Sequence, residues 1–423
     1  MKSIFLGITF VFISSCSQQP KSIHQTDLES NLGSPNVNLS GVQLGLDILL
    51  NEKIDLIKNK NIALVTNHSG VDSYGIPNYE SLMKIKDVHL KIIFSPEHGL
   101  FGEAAAGEKV NYNGQIKTLP EVVSLYGKNR KPTFEQMENL DYIIYDIQDV
   151  GARFYTYITT LGLIMETASE SGVKVLVLDR PNPIKGKFTE GPILDLKYQT
   201  FVGYYPIPIR YGLTVGELAN MIQGEKWIEG QPSLEIIKMK GWKRDLWFNE
   251  TNLKWIKPSP NIPDLTTAII YPGMCLLEGT NISEGRGTNK PFKRFGAPWI
   301  NKETLSAKLN NLNLPGVVFK PISFIPTSIK GMSVNPKFKN QVCYGSEIIV
   351  TDREKYLSVI TGMEIINLIK KTYPSNFELK QGINRLWGNT EFIDQISTEN
   401  KDGLFRLPLE KFNRISKRYW LYD

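Results

Sequence analysis

Four short, mainly apolar runs, each ending in a polar cluster, constrain the fold of this chain most. They are Ile62 to Thr66, Leu90 to Phe94, Tyr142 to Tyr145 and Val173 to Leu178. The segments between them carry helical patterns, as in Thr159 to Ser171. Apolar strands without alternation, separated by helices, belong to a parallel sheet covered on both faces. The reading is an α/β fold: a Rossmann-like, doubly wound, mainly parallel sheet. Thr214 opens a further helix, with Glu217 three residues on as in a capping box. Leu234 to Met239 reads as another strand. Pro258, Pro260 and Pro263 then punctuate the chain. The expected organisation is a Rossmann-like domain over 41–264 and a smaller α/β domain over 265–423. The latter has strands at Gly316 to Phe324 and Ser346 to Thr351, and a helix at Glu354 to Lys371.

The first residues carry an address. Lys2 precedes the apolar run Ile4 to Ile13, and Ser14, Ser15 and Cys16 follow. That pattern predicts a secretory signal over 1–15 that ends in a lipobox. The run is about half the roughly twenty residues a bilayer span needs. Acylation of Cys16 would anchor the protein to a bacterial membrane, facing the periplasm, through the polar tether 16–40. Cys275 and Cys343 then remain, either as a pair or as separate core thiols. The formal net charge of +6 is dispersed among 22% charged residues, which describes a solvated surface and no nucleic-acid partner.

In an open parallel sheet, ligands bind beyond the carboxyl ends of the strands. Asn67 and His68 follow the first strand, and Ser95-Pro96-Glu97-His98-Gly99 the second. Asp146, Gln148, Asp149 and Arg153 follow the third, and Asp179, Arg180 and Asn182 the fourth. Glu97 is the sharpest candidate, because Pro96 and Gly99 stiffen and turn the backbone just past a buried strand, where a partly desolvated carboxyl suits a general acid. His98 is placed to bond a hydroxyl. Asp146 and Asp149 are the candidates for a second catalytic carboxylate, one of them otherwise pairing with Arg153. Tyr155 offers a ring for stacking, or for the core. Glu284 and Arg286 stand in a polar, glycine-rich segment, Glu278 to Thr288, that reads as a surface loop or as a contribution to the cleft. Gly102 and Gly107 have the spacing of a phosphate loop, but Glu108 stands where the lysine belongs. With no Gly-x-Gly-x-x-Gly after the first strand and no zinc-spaced Cys/His cluster, no nucleotide, metal or other cofactor is expected. The absence of a Gly-x-Ser-x-Gly elbow argues against a serine hydrolase.

Five blocks in order, Ser95 to Gly99, Asp146 to Tyr157, Asp179 to Pro183, Glu190 to Pro192 and Glu278 to Thr288, resemble the NamZ family of exo-β-N-acetylmuramidases. The resemblance covers nearly all of the chain after the tether. It implies removal of a terminal N-acetylmuramic acid (MurNAc) from the non-reducing end of peptidoglycan fragments, in a cleft between the two domains, with Glu97 catalytic. The residues suit that expectation. The MurNAc lactyl carboxylate would fit Arg210 or Arg286, since arginine binds carboxylates in bidentate fashion. Asn67, Gln148 and Asn182 would serve its acetamido group. The second catalytic group would be Asp146, Asp149 or the acetamido group itself. The alternative is a non-catalytic lipoprotein that binds muropeptides or glycans in the same cleft.

Overall fold

Six parallel strands form the main sheet, in the order β3-β2-β1-β4-β5-β6. They are β1 (Lys60–Thr66), β2 (Val88–Ser95), β3 (Glu121–Ser124), β4 (Tyr142–Asp146), β5 (Lys174–Leu178) and β6 (Leu234–Ile237). The computed structural model describes residues 41–423, apart from 106, 109, 111, 113–117, 399, 400 and 402. The signal, Cys16 and the tether lie outside the described residues.

Alternate residues of each central strand enter different cores, which is why the runs are apolar without alternation. Ala63, Val65, Ile143, Tyr145, Val175 and Val177 face one core. Ile62, Leu64, Tyr142, Ile144, Leu176 and Leu178 face the other. Helix Gly45–Glu52 covers the second face through Leu46 and Leu49. Helices Tyr157–Ser171 and Val215–Gly224 contribute to the first core. The predicted capping box is present: Thr214 Oγ1 accepts from the Glu217 amide at 3.2 Å, and Glu217 Oε2 accepts from the Thr214 amide at 3.0 Å. Strand β3 escapes a sequence reading because it is a four-residue edge strand with no fully buried residue.

The later part of the chain builds a three-stranded antiparallel sheet, β7-β9-β8, from β7 (Arg294–Ala297), β8 (Val317–Phe324) and β9 (Cys343–Val350). Its long helix runs Ser358–Thr372 and starts four residues after the predicted Glu354. Glu354 is held elsewhere: its carboxylate accepts from Lys185 Nζ at 2.7 Å and Trp247 Nε1 at 2.6 Å. Ser40–Asp423 forms one compact unit that contains both sheets. Among the described residues no helix is long and apolar enough to cross a membrane. Cys275 and Cys343 are buried free thiols, so the open question of their pairing resolves to core thiols.

Candidate active site

Strand β2 delivers Glu97 to the carboxyl edge of the sheet. The turn is tight because His98 and Gly99 both adopt left-handed backbone (φ +73° and +74°) and the Gly99 amide donates to Pro96 O at 3.1 Å. Two neutral donors hold the nearly buried Glu97 carboxyl. The Gly107 amide donates to Oε1 at 3.0 Å, and the Thr156 hydroxyl to Oε2 at 2.8 Å. A hydroxyl can also accept, so Thr156 can serve either protonation state of Glu97. The Tyr126 phenol lies against the same carboxyl; burial, then the Glu97 charge, push it up to about 12, so it remains a donor. His98 Nδ1 lies 2.8 Å from Ala104 O. A carbonyl only accepts, so Nδ1 carries the proton. Burial lowers the His98 pKa, and a neutral ring leaves Nε2 as an acceptor.

Glu97 and His98 line a cavity of about 110 Å³, against about 10–15 Å³ for one water. Phe154, Tyr155, Tyr271 and Phe292 give it aromatic walls, and Ser259 and Asn261 enter from the proline-punctuated segment. Glu278 and Arg286 complete it. Arg286 donates through Nη2 and Nε to Glu278 Oε1, at 2.7 and 3.1 Å, and its guanidinium carbon sits 5.0 Å from the Phe292 ring centre. Burial opposes its charge, but Glu278 and Glu284 more than offset that and raise its pKa. Among the described residues nothing bonds Arg286 Nη1. Glu284 is ion-paired with Lys337 at 3.0 Å and more loosely with Arg286 at 3.7 Å.

Several residues expected at this site are engaged elsewhere. Asp146 forms a buried ion pair with Arg180, at 2.6 and 3.0 Å, and accepts from Asn78 at 2.8 Å. Neither Asp146 nor Arg180 lines the cavity. Asp149 accepts from the Gly151 amide at 2.6 Å and from the Tyr211 hydroxyl, and burial raises it to about 7. Among the described residues Arg153 pairs with no carboxylate. It donates to four carbonyls: Pro192 and Ile207 through Nη1, at 2.7 and 2.8 Å, Leu386 and Trp387 through Nη2, at 2.9 and 2.7 Å. Arg210 is paired with Glu190 at 2.7 Å and packed over Phe188, which removes it as a lactyl partner. Asp179 accepts from Tyr422 and Thr214, at 2.6 and 2.7 Å, and is raised to about 7 by burial.

The three amides expected to serve an acetamido group instead fix turns. Asn67 accepts from Ser69 and donates to the Tyr157 hydroxyl at 2.8 Å. Gln148 donates to Asp149 O and Pro181 O, both at 2.8 Å. Asn182 donates to Leu213 O at 2.9 Å and accepts from the Ile184 amide at 3.1 Å. His68 lies 2.7 Å from Lys257 O, outside the cavity wall. In each case the strand end needs a side chain to satisfy turn backbone groups, and a short amide does so. Thr156, Glu278 and Asn261 also line the cavity, and no sequence motif marks them individually. Glu278 opens the polar glycine-rich block and was the most detectable of the three. Nothing in the sequence marks Thr156, which sits at a helix start like any capping residue.

Two glutamates and several aromatic rings around one cavity, at the carboxyl edge of a Rossmann-like sheet, define a glycan-hydrolysing class of site. The sequence models of exo-beta-N-acetylmuramidase NamZ match residues 62–266 (N-terminal) and 269–422 (C-terminal). Peptidoglycan beta-N-acetylmuramidase NamZ of Bacillus subtilis is 42% identical over the full length of both chains. Two crystal structures of DUF1343 family proteins from Bacteroides fragilis share the fold. One has a TM-score of 0.81 at 34% identity, covering 90% of this chain and 99% of that one. The other has a TM-score of 0.72 at 30% identity, covering 91% and 99%. The chain belongs to the exo-β-N-acetylmuramidase NamZ family and is a glycoside hydrolase.

Proposed function

We propose that this protein releases the terminal MurNAc from the non-reducing end of peptidoglycan fragments during cell-wall turnover and recycling, with Glu97 as proton donor and Glu278 as second carboxylate. The observation that carries the assignment is that Glu97 and Glu278 line one cavity, while Asp146 and Asp149 are engaged outside it. Glycoside hydrolysis generally needs two carboxyl groups with different tasks. The partners of Glu97 are neutral, which suits a group that must carry a proton to the leaving oxygen. Glu278 is ion-paired with Arg286, which suits a group that faces positive charge building at the anomeric carbon or takes a proton from water. Arg286 Nη1 remains for the lactyl carboxylate. His98 Nε2 can accept from a ring hydroxyl.

The test is hydrolysis of a chromogenic β-MurNAc glycoside beside the matching β-GlcNAc glycoside. Release from the first alone, with turnover lowered about 10²–10⁴-fold in Glu97→Gln, supports the assignment. Near-normal turnover in that variant refutes the role of Glu97. Export and lipid anchoring at Cys16 belong to the same proposal and rest on the sequence signal. Mass spectrometry of the N-terminal peptide from membranes tests them, and an unmodified Cys16 overturns the anchor.

A further inference from the structure

The segment Pro258 to Pro263 supplies a wall of the cavity. Ser259, Asn261 and Ile262 all line it. Prolines at 258, 260 and 263 fix φ at three of its six positions, so the side chains between them are presented from a stiff support. Pro258 O accepts from the Tyr157 hydroxyl at 2.7 Å, which ties this wall to the helix that follows Thr156.

Asn261 is buried and one end of its amide is assigned by chemistry. Nδ2 donates to Met332 O at 2.8 Å. A carbonyl cannot donate, so the amide cannot be flipped, and Oδ1 is the other end. Among the described residues that buried oxygen has no hydrogen-bond partner. The Tyr155 hydroxyl, also on the cavity wall, lies against Ser259 and Tyr157 but makes no hydrogen bond of good geometry among the described residues. Burial holds its phenol far above the usual range, so it is a donor. A buried polar atom without a partner is costly, and native structures rarely keep one without a reason. Two in one cavity, one acceptor and one donor, match the two polar atoms of a secondary amide. Phe154 and Ile262 offer apolar surface beside them.

We infer that Asn261 and Tyr155 form a subsite for the acetamido group of the sugar, with Asn261 Oδ1 accepting from its N–H and the Tyr155 hydroxyl donating to its carbonyl. The inference rests on the proposed reading that the ligand is a 2-acetamido sugar. It replaces Asn67, Gln148 and Asn182 as the amide partners and makes Asn261 a specificity-determining residue. A site whose polar groups are left unpaired by an analogue rejects that analogue strongly.

The experiment is calorimetric titration with free MurNAc and with its 2-hydroxy analogue, 3-O-lactylglucose. It needs no turnover, so a failure of the hydrolase assignment is read separately in the glycoside assay. Wild-type protein is expected to prefer MurNAc by about tenfold or more. Asn261→Ala is expected to bring the two affinities within about twofold by weakening MurNAc alone, and Tyr155→Phe to lower the ratio in the same sense. A purely structural role at Met332 would weaken both ligands equally. Equal weakening, a ratio unchanged in both variants, or a wild type that does not discriminate overturns the inference. If Asn261→Ala does not fold, Tyr155→Phe decides it: that change removes one hydroxyl and leaves the Met332 contact intact.

Discussion

Replacing Arg153 with Met tests the claim that this arginine is a fastener and not a substrate ligand. Its guanidinium holds four buried carbonyls, two of which, Leu386 and Trp387, lie more than 230 residues away in the chain. Ile207 O keeps a second donor, the Leu194 amide at 3.3 Å, so the substitution strands the other three. Each buried carbonyl left unpaired costs about 1–3 kcal/mol, so three cost roughly 6 kcal/mol. Removing the arginine also relieves the desolvation that pulls it from 12.5 down to about 9, equivalent to about 5 kcal/mol. The net destabilisation is then on the order of 1 kcal/mol. A compact unit of this length unfolds with an entropy near 0.8 kcal/mol/K, so the melting temperature should fall by about 1 °C. Differential scanning calorimetry reads that directly. Leu386 also lines the cavity, so KM for a β-MurNAc glycoside should rise several-fold while kcat changes less. An unchanged melting temperature with kcat/KM reduced a hundredfold would refute the reasoning and return Arg153 to the substrate.

Asp146→Asn breaks a buried ion pair and should destabilise the protein by about 3–5 kcal/mol, with kcat of the folded fraction kept within a few-fold; a large kcat loss at unchanged melting temperature would make Asp146 catalytic after all. Arg286→Lys loses the two-armed hold on Glu278 and should lower kcat/KM by about a hundredfold, the scale of a 1 Å misplacement. Retained activity there would show that Glu278 needs no positioning. Asp179 sits at about 7 in the folded protein and near 3.9 unfolded, so its stabilising protonation is complete below pH 4 and lost as pH rises through 7. Buried His68 and His98 have lowered values and act in the opposite sense below pH 6.5, so the comparison must be with Asp179→Asn at pH 5 and pH 7.5. The melting-temperature deficit of the variant should shrink at the higher pH, and a deficit that grows would contradict the assignment.

Much of the sheet was legible because its signal is local. Each central strand is buried on both faces, so residues such as Ile62 to Val65 had to be apolar without interruption, and the helices between them fixed the strands as parallel. The position of Glu97 on the cavity wall was legible for a related reason: Pro96 and Gly99 turn the chain just past the end of a buried strand. The sequence also determined Thr214 as a helix cap, since a capping box is a contact between residues three apart. What tertiary structure alone decided is which polar residues remain available to a ligand. Asp146, Asp149, Asp179, Arg153 and Arg210 carry the same chemical groups as Glu97, Glu278 and Arg286, and one-dimensional order does not rank them. The difference lies in partners far along the chain, Arg180 for Asp146, Tyr211 for Asp149, Leu386 and Trp387 for Arg153. A charged group buried against partners far along the chain holds the fold together, and one left on a cavity wall is free for chemistry.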